Sequence, residues 1–239
     1  MFRTAMGRVL ALLVLGLTAF AAVAVHAYEV SPMRIFLVPA EGRSQATISI
    51  NNTRDEPLPV ELKIFRRTTA EDGSETMEEA DDAFIVFPPQ VQVPANASQA
   101  IRLQYVGPAE LTESTSYLVQ VVEVPVSPEG FSGVRFTYNF GVAVYVEPPR
   151  AVERISVVSA ERSEGRLRLT VRNSGNKHGL LHQHRLLVNA GGQQLDLTAD
   201  DLANRIENPV LPPNMDRVFN IEMPELAGTG PISAELRSR

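Results

Sequence analysis

Cysteine is absent from the 239-residue sequence. Its absence excludes disulfide bonds, thiol nucleophiles and metal sites with cysteine ligands. The chain must therefore be stabilised by the burial of its cores alone. Helical periodicity is also absent after Ala27, because no long run there has apolar residues at spacings of three and four.

Charge of one sign is not in large excess. The sequence has 22 Lys and Arg, 28 Asp and Glu, and a formal net charge of −6, and its basic residues are scattered. This distribution does not predict nucleic-acid binding. Catalytic signatures are missing as well, because no Ser, His and acid form a recognisable elbow and no glycine-rich loop could hold a phosphate.

Three histidines lie close together, at His178, His182 and His184. Their spacing suggests zinc, but the run contains no carboxylate that could complete the ligand set. They are instead predicted to lie on the surface of a turn and a strand. The sequence therefore predicts no metal and no cofactor.

The N-terminus has the pattern of a secretory signal. Arg3 and Arg8 precede an uncharged run over residues 9–25, and Ala27 supplies a small residue at a cleavage point. An uncleaved membrane anchor is the alternative, but the run is shorter than the ~20 residues that span a bilayer. Removal of residues 1–27 leaves 212 residues with 20 basic and 28 acidic side chains, a formal charge of −8.

Short alternating segments recur between clusters of Pro, Gly, Asn and Asp, which predicts strands. The seven in the first half match the strand number of an immunoglobulin-like sandwich. They cover residues 29–38, 45–51, 58–66, 84–89, 98–107, 116–126 and 134–148. Residues 68–82, which contain seven acids, are predicted to be a solvated loop.

Two consecutive prolines, Pro148 and Pro149, predict a stiff boundary, after which the same strand pattern returns. The predicted fold is all-β, with two immunoglobulin-like β-sandwich domains set at an angle and a cleft between them. The domains are expected at residues 28–148 and 149–239.

The segment 134–148, VRFTYNFGVAVYVEP, places large apolar side chains on one face of an extended chain. Its second half, residues 142–146, is almost uniformly apolar, as in a strand buried on both faces. A row of large apolar groups on a sheet edge invites another chain to pair there. The segment is either an ordinary core strand or a strand that is lent to another protein. The residues on the alternating face are Val134, Phe136, Tyr138 and Phe140.

Two strand arginines are candidate anion ligands. Arg34 is a single cation among hydrophobic residues, and Arg102 lies on the polar face of the strand predicted at 98–107. A guanidinium can bind a carboxylate through two hydrogen bonds and stays charged. The alternative for Arg34 is an exposed strand residue whose stem covers apolar surface.

The order and spacing of several segments resemble the periplasmic pilus-assembly chaperones of the chaperone-usher pathway, over nearly the whole mature chain. The segments are SPMRIFL, DDAFIVFPPQVQVPANASQAIRLQYVG, SYLVQVVEVPV, VRFTYNFGVAVYVEP, RNSGNKHGLL and VLPPNMDRVFNI. The resemblance implies a periplasmic location. It implies that Arg34 anchors the C-terminal carboxylate of a pilus subunit in the cleft, and that the face containing Val134, Phe136 and Tyr138 is a donor strand.

The sequence departs from this family at the second anchoring cation. Relatives with such a cation have a lysine late in the long strand, where this chain has Ala143, and a neighbouring position used in some branches is Asn139. Arg102 is the first expected substitute and Arg135 the second. The short loop at residues 127–133, without cysteine, resembles the short-loop branches of the family.

The resemblance implies that the protein binds pilus subunits by donor-strand complementation and delivers them to an outer-membrane usher. Whether the free protein self-associates through the donor edge stays open. The main rival is a structural or adhesive surface protein, which would carry its own complete set of strands or a donor extension before its first strand. An enzyme is the weaker rival, because the sequence has no recognisable Ser-His-acid elbow, no cysteine and no glycine-rich phosphate loop. A fold alone does not exclude a site.

Overall fold

The structure is a computed structural model that describes residues 28–126, 136–163, 165–226 and 230–238. Within these ranges it has eighteen strands, one α-helix and three short 3-10 helices. None of the helices in the described ranges is long and apolar enough to cross a membrane. The predicted signal, residues 1–27, lies outside the described residues.

The first half of the chain forms two facing sheets. Its strands are β1 (Glu29–Ser31), β2 (Arg34–Leu37), β3 (Gln45–Asn51), β4 (Leu58–Thr69), β5 (Glu75–Glu79), β6 (Phe84–Phe87), β7 (Gln90–Val93), β8 (Ser98–Tyr105), β9 (Thr115–Glu123) and β10 (Asn139–Val146). One sheet has the order β1-β3-β8-β6, and the other has the order β2-β10-β9-β4-β5, with β7 also paired to β4. The chain crosses from the first sheet to the second between β1 and β2.

Alternation along the strands explains this sandwich. Ile48 and Ile50 of β3 face Val119 and Val121 of β9 across the interior, and all four are 0% exposed. Successive strand side chains point to opposite faces, so each strand buries every second residue. Burial of this kind supplies most of the folding free energy in a chain without disulfides.

The second half forms the second sandwich. Its strands are β11 (Ile155–Ser163), β12 (Arg166–Asn173), β13 (Gly179–Leu180), β14 (His184–Ala190), β15 (Gln193–Leu197), β16 (Val210–Leu211), β17 (Met215–Glu222) and β18 (Ile232–Ser238). The sheets have the orders β11-β12-β17, β13-β16 and β15-β14-β18. A separate cluster of buried residues, including Leu167, Leu169 and Val171, forms its core. The predicted two-domain, all-β architecture is confirmed, whereas the boundary at residue 148 stays a prediction.

A helix that the sequence analysis did not predict, α1 (Ala199–Arg205), lies between β15 and β16. Thr198 and Asp201 form a capping box at its start, because each side chain accepts a hydrogen bond from the other residue's main-chain N–H. Leu202 buries the helix against the second core. At seven residues the helix is too short for its periodicity to stand out in the sequence.

The acidic stretch 68–82 is not a loop throughout, which corrects the sequence prediction. β4 continues to Thr69 and pairs with β5 in an antiparallel hairpin. Every residue of β5 is exposed, so the strand has no buried face that an apolar pattern could reveal. Opposite charges support the pairing instead, because Arg66 lies directly across from Glu78.

The tip of this hairpin is bonded to the second sandwich. The guanidinium of Arg217, a residue 1% exposed, donates to the carbonyl oxygens of Ala70 at 3.1 Å and Glu71 at 3.2 Å. It also donates to the carbonyl oxygens of Asn208 at 3.0 Å and Val210 at 2.9 Å in the second domain. One buried side chain thus joins both domains beside the cleft.

Candidate functional site

A cleft between the two sandwiches contains a cavity of about 520 Å³. Arg34, Arg67 and Tyr145 border it from the first domain, and Glu207 and Asn208 border it from the second. Two guanidinium groups therefore share one cavity with polar and acidic residues.

Arg34 is directed out of the sheet by the alternation of β2. Its neighbours in that strand, Ile35 and Leu37, are 4% and 1% exposed and belong to the core. Arg34 pairs with Ala143 of β10 in a parallel ladder. Among the residues that the structure describes, no side chain forms an ion pair or a hydrogen bond with the Arg34 guanidinium. Its donors are thus available to an anion in the cleft.

Arg67 is the second cation of the cavity, and the sequence analysis missed it. Its Nε and Nη2 donate to Ser116 Oγ at 3.1 and 3.0 Å, and Nη2 also donates to the Tyr145 hydroxyl at 3.1 Å. The carboxylate Oε1 of Glu75 lies 3.8 Å from Nη1. The side chain is only 11% exposed. The available signal was a pair of consecutive arginines at the end of the strand predicted at 58–66.

Arg102, the expected substitute for the missing lysine, lies elsewhere. It is exposed on β8 of the other sheet, between Thr47 of β3 and Phe87 of β6, and it does not border the cavity. Strand alternation explains this placement, because Ile101 and Leu103 face the core and turn Arg102 outward. The other candidate, Arg135, lies outside the described residues.

The predicted donor residues have different surroundings. Phe136 is 76% exposed. Tyr138 and Phe140 are partly buried against their own core, and the Phe140 ring contacts that of Tyr28 at a centroid distance of 4.8 Å. Val134 lies outside the described residues. The strand predicted from residue 134 is seen only from Asn139 onward.

One edge of β10 is covered along only half of its length. β2 pairs with β10 over residues 143–146, whereas β9 pairs with all of it. Within the described part of the chain, no strand pairs with the other edge of residues 139–142. Unpaired main-chain groups on such an edge are a template for another strand.

His178 lies at the contact between the domains rather than on a surface, which corrects the expectation for it. Ser114 Oγ accepts a hydrogen bond from the main-chain N–H of His178 at 2.8 Å and lies 2.5 Å from its Nδ1. Burial, with a smaller contribution from the Arg67 cation, lowers the pKa of His178 to about 4. The imidazole is therefore neutral at neutral pH.

A carboxylate is buried at the same contact. Glu147 is 6% exposed, and its Oε1 lies 3.6 Å from Lys177 Nζ of the second domain. Burial raises the pKa of Glu147, while the Lys177 ammonium opposes that shift. Both polar pairs join the first domain to the second.

Comparison with known proteins identifies the family. Residues 29–153, slightly more than half of the chain, match the family model "Pili and flagellar-assembly chaperone, PapD N-terminal domain". The chain belongs to this family. The pilus-assembly chaperone role predicted from the sequence is confirmed at this level. No curated protein matches the sequence significantly.

Solved structures of pilus-assembly chaperones share the fold. The SafB chaperone with SafA pilin from Salmonella enterica has a TM-score of 0.55 and 18% identity, covering 84% of this chain and 86% of that one. The CsuC-CsuE chaperone–subunit complex from Acinetobacter baumannii has a TM-score of 0.55 and 16% identity, and the match covers 88% of this chain and 97% of that one. The CupB2 chaperone from Pseudomonas aeruginosa has a TM-score of 0.53 and 12% identity, and the match covers 87% of this chain and 91% of that one. At these identities the likeness concerns the fold alone.

Proposed function

We propose that this protein binds pilus subunits in the periplasm by donor-strand complementation and delivers them to an outer-membrane usher. In this mechanism the chaperone lends a strand edge to a subunit whose own sandwich is incomplete. Main-chain hydrogen bonds give affinity, and alternating side chains that enter pockets give register. Family membership supports the assembly role, and similar folds occur in complexes with a pilin and a tip subunit.

The open edge of β10 is the observation that carries the proposal. β2 begins to cover that edge only where the carbonyl oxygen of Met33 accepts the N–H of Ala143 at 3.0 Å. A subunit strand laid along residues 139–142 would therefore be in line with β2. It would end where Arg34 begins.

The direction of the subunit strand follows from the cations. A strand parallel to β10, as β2 is, would bring its C-terminal end to the cleft. Its terminal carboxylate would then meet two guanidinium groups, and hydrogen bonds between charged partners contribute about 1.5 to 3 kcal/mol. An antiparallel strand would instead bring an amino group or an internal residue there.

The anchor in this proposal consists of Arg34 and Arg67. Arg34 is the expected residue, and Arg67 takes the place first assigned to Arg102. Its hydrogen bonds to Ser116 and Tyr145 hold its guanidinium in place. A cation held in advance loses less side-chain entropy when the carboxylate binds.

The donor side chains in this proposal are those on the face of Val134, Phe136, Tyr138 and Phe140. Phe136 has the largest exposed surface among those described, at 76%, and is the first candidate to enter a subunit groove. Tyr138 and Phe140 stay partly in the chaperone core and would form the base of the shared interface. Each large apolar side chain buried contributes about 1.5 to 3 kcal/mol before ordering costs.

The proposal also covers the export of the protein and its state without a subunit. Export would remove residues 1–27, leaving domains at 28–148 and 149–239. Without a subunit, the open edge of β10 is also accessible to a second copy of the chain. The role is one of binding and needs no enzymatic step.

Capture of a denatured pilus subunit by purified Arg34→Ala protein tests the anchor. We expect subunit binding at least tenfold weaker than that of the unsubstituted protein, because one of the two carboxylate ligands is lost, with an unchanged circular dichroism spectrum. Arg102→Ala is the matched control, since it removes an exposed strand arginine outside the cleft. It should bind normally.

A subunit with an amidated C-terminus completes the design. Amidation should weaken binding to the unsubstituted chaperone more than Arg34→Ala does, because it removes the partner of both guanidinium groups. It should weaken binding to Arg34→Ala by a smaller factor, because that variant has already lost one of the two interactions. Two results would contradict the anchor. One is normal subunit capture by a folded Arg34→Ala protein. The other is an amidation effect on binding that is as large for Arg34→Ala as for the unsubstituted protein.

A further inference from the structure

The ladder between β9 and β10 ends in an unusual way. The N–H groups of Ala143 and Glu147 bond to β2, through the carbonyl oxygens of Met33 and Leu37. Main-chain groups two residues apart along a strand point to the same edge, so those of the even-numbered residues of β10 face β9. The next residue in this series before the strand is Tyr138.

Side chains replace the main chain at this position. Asn139 pairs with Val122, so the register places Tyr138 opposite Glu123. The Tyr138 N–H, however, donates to the Glu123 carboxylate Oε2 at 3.2 Å. The Tyr138 carbonyl oxygen accepts from the Tyr28 hydroxyl at 2.6 Å. Both main-chain groups that would continue the ladder are therefore bonded to side chains.

Arg54 holds these side chains together. Its Nη1 and Nη2 donate to the two carboxylate oxygens of Glu123 at 2.7 and 3.0 Å. Its guanidinium lies 5.6 Å from the ring centroid of Tyr28 and 5.9 Å from that of Tyr138. The Glu123 and Arg54 side chains are 5% and 13% exposed, so the ion pair is largely shielded from water. Burial also raises the pKa of Tyr28, which keeps its hydroxyl a donor.

We propose that Tyr28, Arg54 and Glu123 form a clamp at Tyr138, where the donor segment leaves its own sheet. The clamp fixes the rotation of the chain about the strand axis, and so fixes which side chains face outward. Bonds to both the N–H and the carbonyl group of Tyr138 set the rotation of the chain about the strand axis. A slip of one residue would turn Phe136 to the opposite face, because side chains alternate with period two. The clamp thus determines which side chains are presented to a subunit.

This inference rests on the proposed function, since the orientation of these side chains matters only if the segment pairs with a subunit. It assigns positioning residues outside the carboxylate anchor. The anchor acts at the cleft end of β10, and the clamp acts at the other end. Two fixed points on one strand define its register more sharply than either does alone.

Glu123→Ala tests the clamp in two independent measurements. In the free protein, hydrogen exchange followed by NMR should show the Tyr138 amide exchanging at least tenfold faster, because its acceptor is lost. In subunit capture, the variant should bind at least tenfold more slowly. Tyr28→Phe, which removes only the donor to the Tyr138 carbonyl group, should also slow capture, whereas Tyr105→Phe, the same change at another buried tyrosine of this domain, should not.

A stability-matched control separates positioning from general destabilisation. Ile48 is fully buried in the middle of β3, in the sheet that does not contain β10. Ile48→Val or Ile48→Ala, whichever matches the unfolding free energy of Glu123→Ala, should capture subunits at the normal rate. Glu123→Gln keeps an acceptor oxygen and should recover part of the Tyr138 protection.

Each outcome decides the matter. Unchanged Tyr138 exchange in Glu123→Ala overturns the clamp, and so does capture equal to that of the matched Ile48 variant. If the unsubstituted protein captures no subunit, the proposed function fails, while the exchange result still tests whether Glu123 holds Tyr138. The inference is supported if Glu123→Ala shows both faster Tyr138 exchange and slower subunit capture, and the stability-matched Ile48 variant shows neither.

Discussion

The two ends of β10 both contribute apolar side chains to the core, but only one end is covered by a strand on each edge. At the closed end, residues 143–146, Val144 and Val146 are 0% exposed, and Tyr145 is 2% exposed. At the open end, Gly141 is exposed, and Phe136, just before the strand, is 76% exposed. β9 covers one edge of both ends, so the difference lies on the other edge, where β2 reaches only from residue 143 onward.

Under the proposed function, this difference separates stability from subunit binding within one strand. The closed end contributes to the core that keeps the domain folded, and the open end keeps main-chain and apolar groups available. The crossing of the chain between sheets at Pro32 and Met33 creates the division, because β1 pairs with β3 of the other sheet. The following experiments test whether the division holds.

The largest expected difference in unfolding free energy comes from introducing an aspartate at each end of the strand in turn. Val144→Asp should lower the unfolding free energy by about 4 kcal/mol or more, because it places a carboxyl group among fully buried apolar residues. Phe136→Asp, at the open end, should change it by less than about 0.5 kcal/mol but should strongly weaken subunit capture. Urea denaturation measures both, and a similar loss of stability for the two variants would contradict the division.

An intermediate effect is expected from acid, which acts at the closed end. The His178 ring lies 5.2 Å from the Tyr145 ring, and burial lowers the His178 pKa from 6.5 to about 4. A lowered pKa means that the unfolded state takes up the proton first. Stability from this group is complete above pH 6.5 and falls as the pH drops towards 4, by roughly 2 to 3 kcal/mol.

His178→Gln isolates this contribution, because glutamine does not titrate and can still accept from Ser114. Its unfolding free energy should vary less than that of the unsubstituted protein between pH 6.5 and 4. Glu147, whose pKa burial raises, acts in the opposite direction in both proteins and cancels in the difference. Parallel pH profiles for the two proteins would contradict the assignment.

A stability effect smaller than that of acid is expected at the junction of the two ends. Arg67→Ala removes hydrogen bonds to Ser116 and Tyr145 and should cost about 1 to 2 kcal/mol. It should also weaken capture of subunits that have a free carboxylate by about tenfold. Arg66→Ala is the control, since that neighbour is exposed on the other face of β4. Equal capture by both variants would remove Arg67 from the anchor.

Much of the fold could be predicted from local patterns. Strands with one buried face, such as β3 and β8, were found because alternation follows directly from strand geometry. β5 was missed because all of its residues are exposed, and α1 was missed because it has only seven residues. The sequence predicts one strand over residues 134–148, whereas β10 spans Asn139–Val146. Periodicity does not reveal that the Tyr28 and Glu123 side chains occupy the main-chain groups of Tyr138.

The candidate site was only half predictable for a related reason. Arg34 stood out as a charge among hydrophobic residues, and the family resemblance gave it a role. Arg67 lies just beyond the strand predicted at 58–66 and was missed, and Arg102 was the first expected substitute. The distance of each arginine from Arg34 depends on which sheet its strand joins. Arg67 reaches the cleft through β4, beside Tyr145, and Arg102 faces outward from the other sheet.

The sequence by itself determined the class of fold, the absence of disulfides and the alternating apolar residues 134, 136, 138 and 140, because these follow from residue type and strand period. Only the tertiary structure decided where the edge of β10 opens, which cations share the cleft and what holds Tyr138. Those features depend on contacts between residues far apart in the chain, and sheet order sets them rather than local pattern.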